Sequence, residues 1–241
     1  MKPNENIRWI DTAILLAAGF GKRMRPLTNN TPKPLIRVAG KTLLEWNINY
    51  LMTAGITKII INTHYLATQI KEFIENSDFD AQIIISHEPE ILDQAGGVKQ
   101  ALSHVGQQQQ LLILNSDGIF IDDNNSSNAI SMVTAEYQKH RQPINIVTYP
   151  VNKLTNIDMP AEIALNPLRY TKNTNSTHVY TGVLLLERNY IEQITDKVVS
   201  MRPILFNNTA NTSCIDYQGT WLHVSDPKSH AKAELLLGNY N

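Results

Sequence analysis

The sequence predicts an α/β fold in three layers, α/β/α, with a mixed, mostly parallel sheet between two sets of helices. Short, continuously apolar runs such as KIIIN at 58–62 and QIIIS at 82–86 have the character of strands buried on both faces. Amphipathic stretches of helical length separate these runs, and such strand–helix–strand alternation calls for right-handed crossovers and parallel pairing. The 241 residues, 42% of them hydrophobic, are enough to bury one substantial core. Residues 1–241 are therefore expected to form a single domain, with 1–11 as a flexible N-terminal tail.

Taken in order, residues 12–17 are the first buried strand. Across 42–54, Leu43, Leu44, Ile48, Leu51 and Met52 recur at three- and four-residue intervals, which marks an amphipathic helix closed by Gly55. Strand 58–62, helix 66–74 and strand 82–86 follow. A glycine-containing loop at 94–97 is expected to lead into a helix ending near Val105, and the four glutamines at 107–110 to form a solvated turn before strand 111–114. Residues 126–140 read as a helix led by the capping-prone stretch 124–128, and 144–149 as a strand. From 150 to 177, Asn, Thr and Pro break any period, and the stretch is expected to lie over one end of the sheet. Strand 179–186, a short strand at 221–224 and a helix at 227–237 complete the chain, with Asp226 as N-cap and Pro227 at the first helical position.

The balance of 21 Lys plus Arg against 22 Asp plus Glu gives a formal charge of -1, so no global basic field argues for nucleic acid or a membrane surface. Any anion binding must be local. The lone Cys214 excludes an intrachain disulfide, and no Cys/His cluster has zinc spacing. The opening MKPNENIRWID lacks the apolar core of a signal peptide, and no apolar run approaches the ~20 residues that span a bilayer, so a cytoplasmic location is expected.

Loops at the carboxyl ends of parallel strands bind ligands in such sheets, which singles out 19–34, 94–97 and 115–123. In the first, Gly19 and Gly21 allow the backbone to turn and approach a ligand, while successive amides can cradle phosphate oxygens. Lys22, Arg23 and Arg25 add positive charge, and Pro32 and Pro34 restrict the backbone on either side of Lys33. A polyphosphate is the natural occupant; a solvated basic loop is the simpler alternative. The spacing matches neither the dinucleotide G-x-G-x-x-G nor the Walker motif.

This stretch closely resembles the signature of the sugar-1-phosphate nucleotidyltransferases, L-A-A-G-x-G-x-R-(M/L)-x-P-L-T followed by P-K-P. It appears here as Leu16-Ala17-Ala18-Gly19, Gly21, Arg23-Met24, Pro26-Leu27-Thr28 and Pro32-Lys33-Pro34. The likeness covers roughly the first half of the chain and returns at Tyr180-Thr181-Gly182 and from Tyr217 to Trp221. The resemblance implies a Rossmann-like nucleotide-diphospho-sugar transferase fold. It also implies a reaction in which a sugar-1-phosphate oxygen attacks the α-phosphorus of a nucleoside triphosphate and pyrophosphate leaves, with Mg²⁺, or alternatively Mn²⁺, as cofactor. By position, Leu16, Ala17, Ala18, Gly19, Gly21, Lys22 and Arg23 would hold the triphosphate, with Arg23 nearest the pyrophosphate. Lys33 would bridge the α-phosphate and the sugar phosphate, which makes Arg23 and Lys33 the catalytic pair. Gln94, Ala95, Gly96 and Gly97 would lie at the nucleobase, Asn115 and Asp158 at the sugar, and Asp117 on the metal. The nearest likeness within the family is to bacterial uridylyltransferases of cell-wall recycling, which implies UTP; a guanylyltransferase acting on mannose 1-phosphate, or a thymidine or cytidine donor, stays open.

One departure stands out. Where the family carries its second metal aspartate, W-x-D-x-G-T, this chain reads Trp221-Leu222-His223-Val224-Ser225-Asp226, with His223 at the aspartate's place and Ser225 at the glycine's. Three readings follow: Asp117 with phosphate oxygens and water suffices for Mg²⁺; His223 ligates a softer metal; or catalysis is lost and the chain is a nucleotide- or sugar-binding protein. Asp122, Asp123 and Asp226 are the other carboxylates that bear on the missing ligand, Asp226 being better suited to a helix cap.

Overall fold

The computed structural model describes residues 10–123, 127–165, 168–170 and 176–238. Most of the expected N-terminal tail and the capping-prone residues 124–126 thus lie outside the described residues.

The chain begins with β1 (Thr12–Leu16), a small hairpin of β2 (Arg37–Val38) and β3 (Lys41–Thr42), and helix α1 (Leu43–Thr53). A reciprocal capping box starts α1: the Glu45 amide donates to Thr42 Oγ1 at 3.0 Å, and the Thr42 amide to Glu45 Oε2 at 2.6 Å. Next come β4 (Lys58–Thr63), α2 (Ala67–Glu75), β5 (Gln82–His87), α3 (Asp93–Val105) and β6 (Gln110–Asn115). They are followed by β7 (Gly118–Ile121), α4 (Ala129–His140), β8 (Ile144–Pro150), β9 (Ile163–Leu165), β10 (Leu168–Tyr170) and β11 (His178–Glu187). The last elements are α5 (Asn189–Glu192), α6 (Arg202–Phe206), β12 (Thr212–Asp216), β13 (Thr220–His223) and α7 (Pro227–Gly238).

β6, β1, β4 and β5 are parallel neighbours in that order. β11 then joins β6 antiparallel, β8 pairs antiparallel with β11, and β12 lies parallel beside β8. The period of two along the strands distributes side chains to two cores. Ala13, Leu15, Ile59 and Ile61 pack with Leu44, Ile48 and Leu51 of α1 and Ile130 and Val133 of α4. Ile14 and Ile60 face the opposite way, onto Val98, Ala101 and Leu102 of α3. The three-layer α/β expectation holds. A third cluster joins Met24 and Ile36 of the glycine-rich segment to Ile119 and Leu222 of the β7–β13 ribbon, to Val224 just beyond it, and to Ala233 and Leu237 of α7.

Several local expectations are corrected. The loop expected at 94–97 is the first turn of α3, because the Ala95 and Gly96 amides find an acceptor in the Val199 carbonyl at 2.9 and 3.1 Å. Gln110 belongs to β6 rather than to a turn. Helix α4 starts at Ala129, since Asn128 Oδ1 accepts from the Ile130 amide at 2.9 Å and so acts as the cap. The 150–177 stretch contains β9, which meets the end of β11 at His178, and β10 beyond it. The β11–β8 register shifts between Tyr180 and Leu184, around Gly182, whose φ of 95° favours glycine and where a Cβ would strike Asn115. No helix among the described residues is long and apolar enough to cross a membrane.

Candidate active site

A cavity of about 470 Å³ opens where β1, β4 and β6 end, with Leu16, Asn62 and Asn115 on its floor. Ala17, Ala18, Gly19, Gly21, Lys22 and Arg23 line one wall, and Lys33, Gln94 and Asp117 also face it. Gly21 has φ 61°, and a Cβ there would crowd the side chains of Lys33 and Thr28. Thr28 Oγ1 donates to the Gly21 carbonyl at 2.8 Å, as does the Met24 amide, also at 2.8 Å. The segment is thereby folded back on itself, with two short 3₁₀ turns, Lys22–Met24 and Lys33–Leu35, presenting its cations.

Behind this wall runs a buried polar chain not recognised as functional from sequence. The Ala17 amide donates to Asn62 Oδ1 at 2.7 Å, Asn62 Nδ2 to Glu88 Oε1 at 2.7 Å, and the Leu92 amide to Glu88 Oε2 at 3.0 Å. It ties the glycine-rich segment to β4 and to the entrance of α3. The one legible signal was a polar residue closing an otherwise apolar strand, KIIIN. Gly96 and Gly97 belong to this scaffold and do not line the cavity. A Cβ on Gly97 would collide with Glu88 and Asn62, and one on Gly96 with the Lys197 carbonyl. Gln94 does line it, and its Nε2 donates to Asn115 Oδ1 at 3.2 Å.

At the other end, Lys33 Nζ lies 2.7 Å from Asp117 Oδ2, and His223 Nε2 lies 3.3 Å from the same oxygen. Burial pushes the Asp117 carboxyl up, but the Lys33 ammonium and then the His223 imidazole more than offset it and hold the group well below the usual carboxylate range. Asp117 is therefore a carboxylate at neutral pH. The β7–β13 ribbon sets this contact by pairing His223 with Gly118. Asn156, fully buried, fixes the ribbon's end: the His223 amide donates to its Oδ1 at 3.2 Å, and its Nδ2 donates to the His223 carbonyl at 2.9 Å and the Ser229 carbonyl at 3.2 Å. The imidazole stacks on Trp221 at 5.4 Å and has Met159 Sδ 3.0 Å from Nδ1.

Three candidate carboxylates do not line this cavity. Asp158 is exposed and borders a separate hollow with Leu154, Ile157, Met159 and Pro160. Asp226 caps α7, its Oδ1 accepting from the Ser229 amide at 2.7 Å. Asp122 is likewise engaged, accepting from the hydroxyls of Tyr50 at 3.0 Å and Tyr217 at 2.7 Å. Among the described residues no group of three or more His, Cys, Asp or Glu is placed to hold a metal. The pair present still fits one: Mg²⁺ needs only one or two carboxylates when phosphates and water complete its shell, and the neighbouring imidazole is a donor that suits Mn²⁺.

Residues 12–156 match the nucleotidyl transferase family. The chain is 28% identical over 235 residues to the N-acetylmuramate alpha-1-phosphate uridylyltransferase of Caulobacter vibrioides, covering 93% of this chain and 96% of that one. With the enzyme of the same description from Neisseria meningitidis serogroup B it shares 47% identity over 107 residues, 44% of this chain and 46% of the other. It is 26% identical to a mannose-1-phosphate guanylyltransferase catalytic subunit beta of Drosophila pseudoobscura pseudoobscura, over 94% of this chain and 62% of that protein. Among solved structures, UDP-glucose pyrophosphorylase from Acinetobacter baumannii superposes with a TM-score of 0.76 at 19% identity, covering 96% of this chain and 94% of the other. The chain belongs to the nucleotidyl transferase family and is a sugar-1-phosphate nucleotidyltransferase.

Proposed function

We propose that the protein transfers the uridylyl group of UTP to a sugar-1-phosphate, with N-acetylmuramate 1-phosphate as the acceptor, and releases pyrophosphate. The observation that carries this reading is the convergence of a folded-back, cationic glycine segment and the Lys33–Asp117 pair on one cavity at the strand ends. The choice of uridine and of the acceptor is supported by the relative that matches 93% of the chain.

The difficulty of the reaction is to bring two anions together in line, so catalysis is positioning and charge stabilisation. The amides of residues 18–21 and the Lys22 and Arg23 side chains grip the triphosphate, with Arg23 stabilising the pyrophosphate as it leaves. Lys33, restrained between Pro32 and Pro34, meets the α-phosphate and offsets the charge of the incoming sugar phosphate. The attacking oxygen is already anionic and needs no general base. Asp117, with His223 beside it, would hold a divalent cation, which supplies further neutralisation of phosphate charge when bound. Gln94 and Asn115, joined by their hydrogen bond, form the boundary between base and sugar.

The test is pyrophosphate release, with UTP, GTP, dTTP and CTP each offered against N-acetylmuramate 1-phosphate, mannose 1-phosphate and glucose 1-phosphate, in Mg²⁺ and in Mn²⁺. Fastest release with UTP and N-acetylmuramate 1-phosphate is expected. A GTP and mannose 1-phosphate preference replaces the uridylyl reading. Binding of a nucleotide without release from any pair would assign the chain a non-catalytic role.

A further inference from the structure

Six buried side-chain polar atoms among the described residues have no hydrogen-bond partner: Asn47 Oδ1, Thr63 Oγ1, Asn145 Oδ1, Tyr170 OH, Trp221 Nε1 and Ser225 Oγ. Of these residues only Ser225 lines the large cavity. It is 1% exposed, and it stands where the family pattern W-x-D-x-G-T has glycine and so no side chain.

The backbone that carries this hydroxyl is tightly held. The Ser225 amide donates to Ser229 Oγ at 3.1 Å, the Asp226 amide to the same oxygen at 3.0 Å, and the Val224 amide to the Asp117 carbonyl at 2.8 Å. Ser225 is thus one residue from the backbone contact that reaches Asp117, whose carboxylate meets Lys33. Arg23 and Lys33 line the same cavity as Ser225. Burying a hydroxyl without a partner is unfavourable, and so fixed a backbone leaves it little freedom to find one within the chain. In the proposed reaction Arg23 and Lys33, which share this cavity, meet the phosphates.

We infer that Ser225 Oγ–H donates a hydrogen bond to the phosphate chain of the bound nucleotide, a contact that the family's glycine does not provide. The identity of that nucleotide rests on the uridylyltransferase reading. Where the family pattern has aspartate and glycine, this chain has the imidazole of His223 and, two residues on, the neutral hydroxyl of Ser225.

The experiment measures binding of UTP and of inorganic tripolyphosphate, which lacks sugar and base, to the native protein and to Ser225→Ala and Ser225→Gly, with the melting temperature of each ligand-free protein. Loss of a donor to a charged oxygen is expected to weaken both ligands roughly tenfold or more. The ligand-free melting temperature of Ser225→Ala is expected to stay level or rise, because an unpartnered polar atom has been removed. Affinities within twofold of native in either folded variant overturn the inference, as does a fall in UTP affinity with tripolyphosphate unchanged. Should Ser225→Ala fail to fold, Ser225→Gly decides by the same criterion. A native protein that binds none of the four nucleoside triphosphates overturns the functional reading itself, and the inference with it.

Discussion

Replacing Gly97 by alanine separates the packing argument from helix propensity, because the two predict opposite signs. In an open helix the change Gly→Ala stabilises by about 1 kcal/mol. Gly97 lies inside α3, but a Cβ built there runs into Glu88 Oε1 and Asn62 Nδ2, two atoms that are themselves hydrogen-bonded at 2.7 Å. Making room means pushing the pair apart. Overpacking costs about 1–3 kcal/mol and a broken buried hydrogen bond costs about as much. The two overlap, since one displacement causes both, so about 2–3 kcal/mol is the combined cost. Subtracting the propensity gain leaves the variant less stable by about 1–2 kcal/mol, a fall in Tm of roughly 3–6 °C for a chain of this size. Because Asn62 also receives the Ala17 amide at 2.7 Å, the cavity wall should shift and UTP affinity should drop in the same variant. Urea denaturation and calorimetric titration with UTP check this. A Gly97→Ala protein that melts higher than native and binds UTP normally would refute the reasoning.

Three further outcomes are expected. Lys33→Ala should retain the fold but lower the rate of pyrophosphate release by on the order of 100-fold or more, as expected for a positioned charge at a phosphoryl-transfer centre; native rates would remove Lys33 from the mechanism. His223→Asp should raise Mg²⁺-supported turnover relative to that with Mn²⁺, by placing a second carboxylate next to Asp117; an unchanged metal preference would show that the imidazole is no metal ligand. Asp226→Ala should cost about 1 kcal/mol at pH 7 through loss of the α7 cap. The capping bonds depress the Asp226 carboxyl, so its contribution is complete above the unfolded value near about pH 4 and is lost as acid takes the pH down through the folded value. Denaturation curves of native and variant proteins should therefore converge toward pH 3, and a constant gap would contradict the assignment.

What was legible in the sequence depended on short-range pattern. KIIIN and QIIIS announced β4 and β5 because an unbroken β-branched run has little alternative but a doubly covered strand. By contrast, the β2–β3 hairpin, β7, β9, β10 and β12 are two to five residues long, too short to display a period, and their pairing comes from distant partners. Gly96 and Gly97 stand at the nucleobase only through the resemblance; by residue type alone a helix-entry turn is as good a reading, and the crowding that excludes a side chain there comes from Glu88, Asn62 and Lys197. Asp158 was taken from a stretch with weak patterning, and it lies on a different hollow from the glycine segment.

By itself the sequence determined the parallel core and the cationic glycine segment, since both are written in contiguous residues whose backbone preferences are local. The family pattern placed Asp117 and His223 together, but only the tertiary structure decided the contacts made there. Asp117 and His223 are 106 positions apart, and nothing in either neighbourhood encodes the register of β7 against β13 that sets them 3.3 Å from each other. The same holds for Asn156, which braces His223 from 67 positions away, and for Ser225, whose unpartnered hydroxyl becomes visible only once α7 is packed against the glycine-rich segment. A pairing register and a buried polar atom are properties of the assembled core, where the hydrophobic fit of whole elements settles what any single segment leaves free.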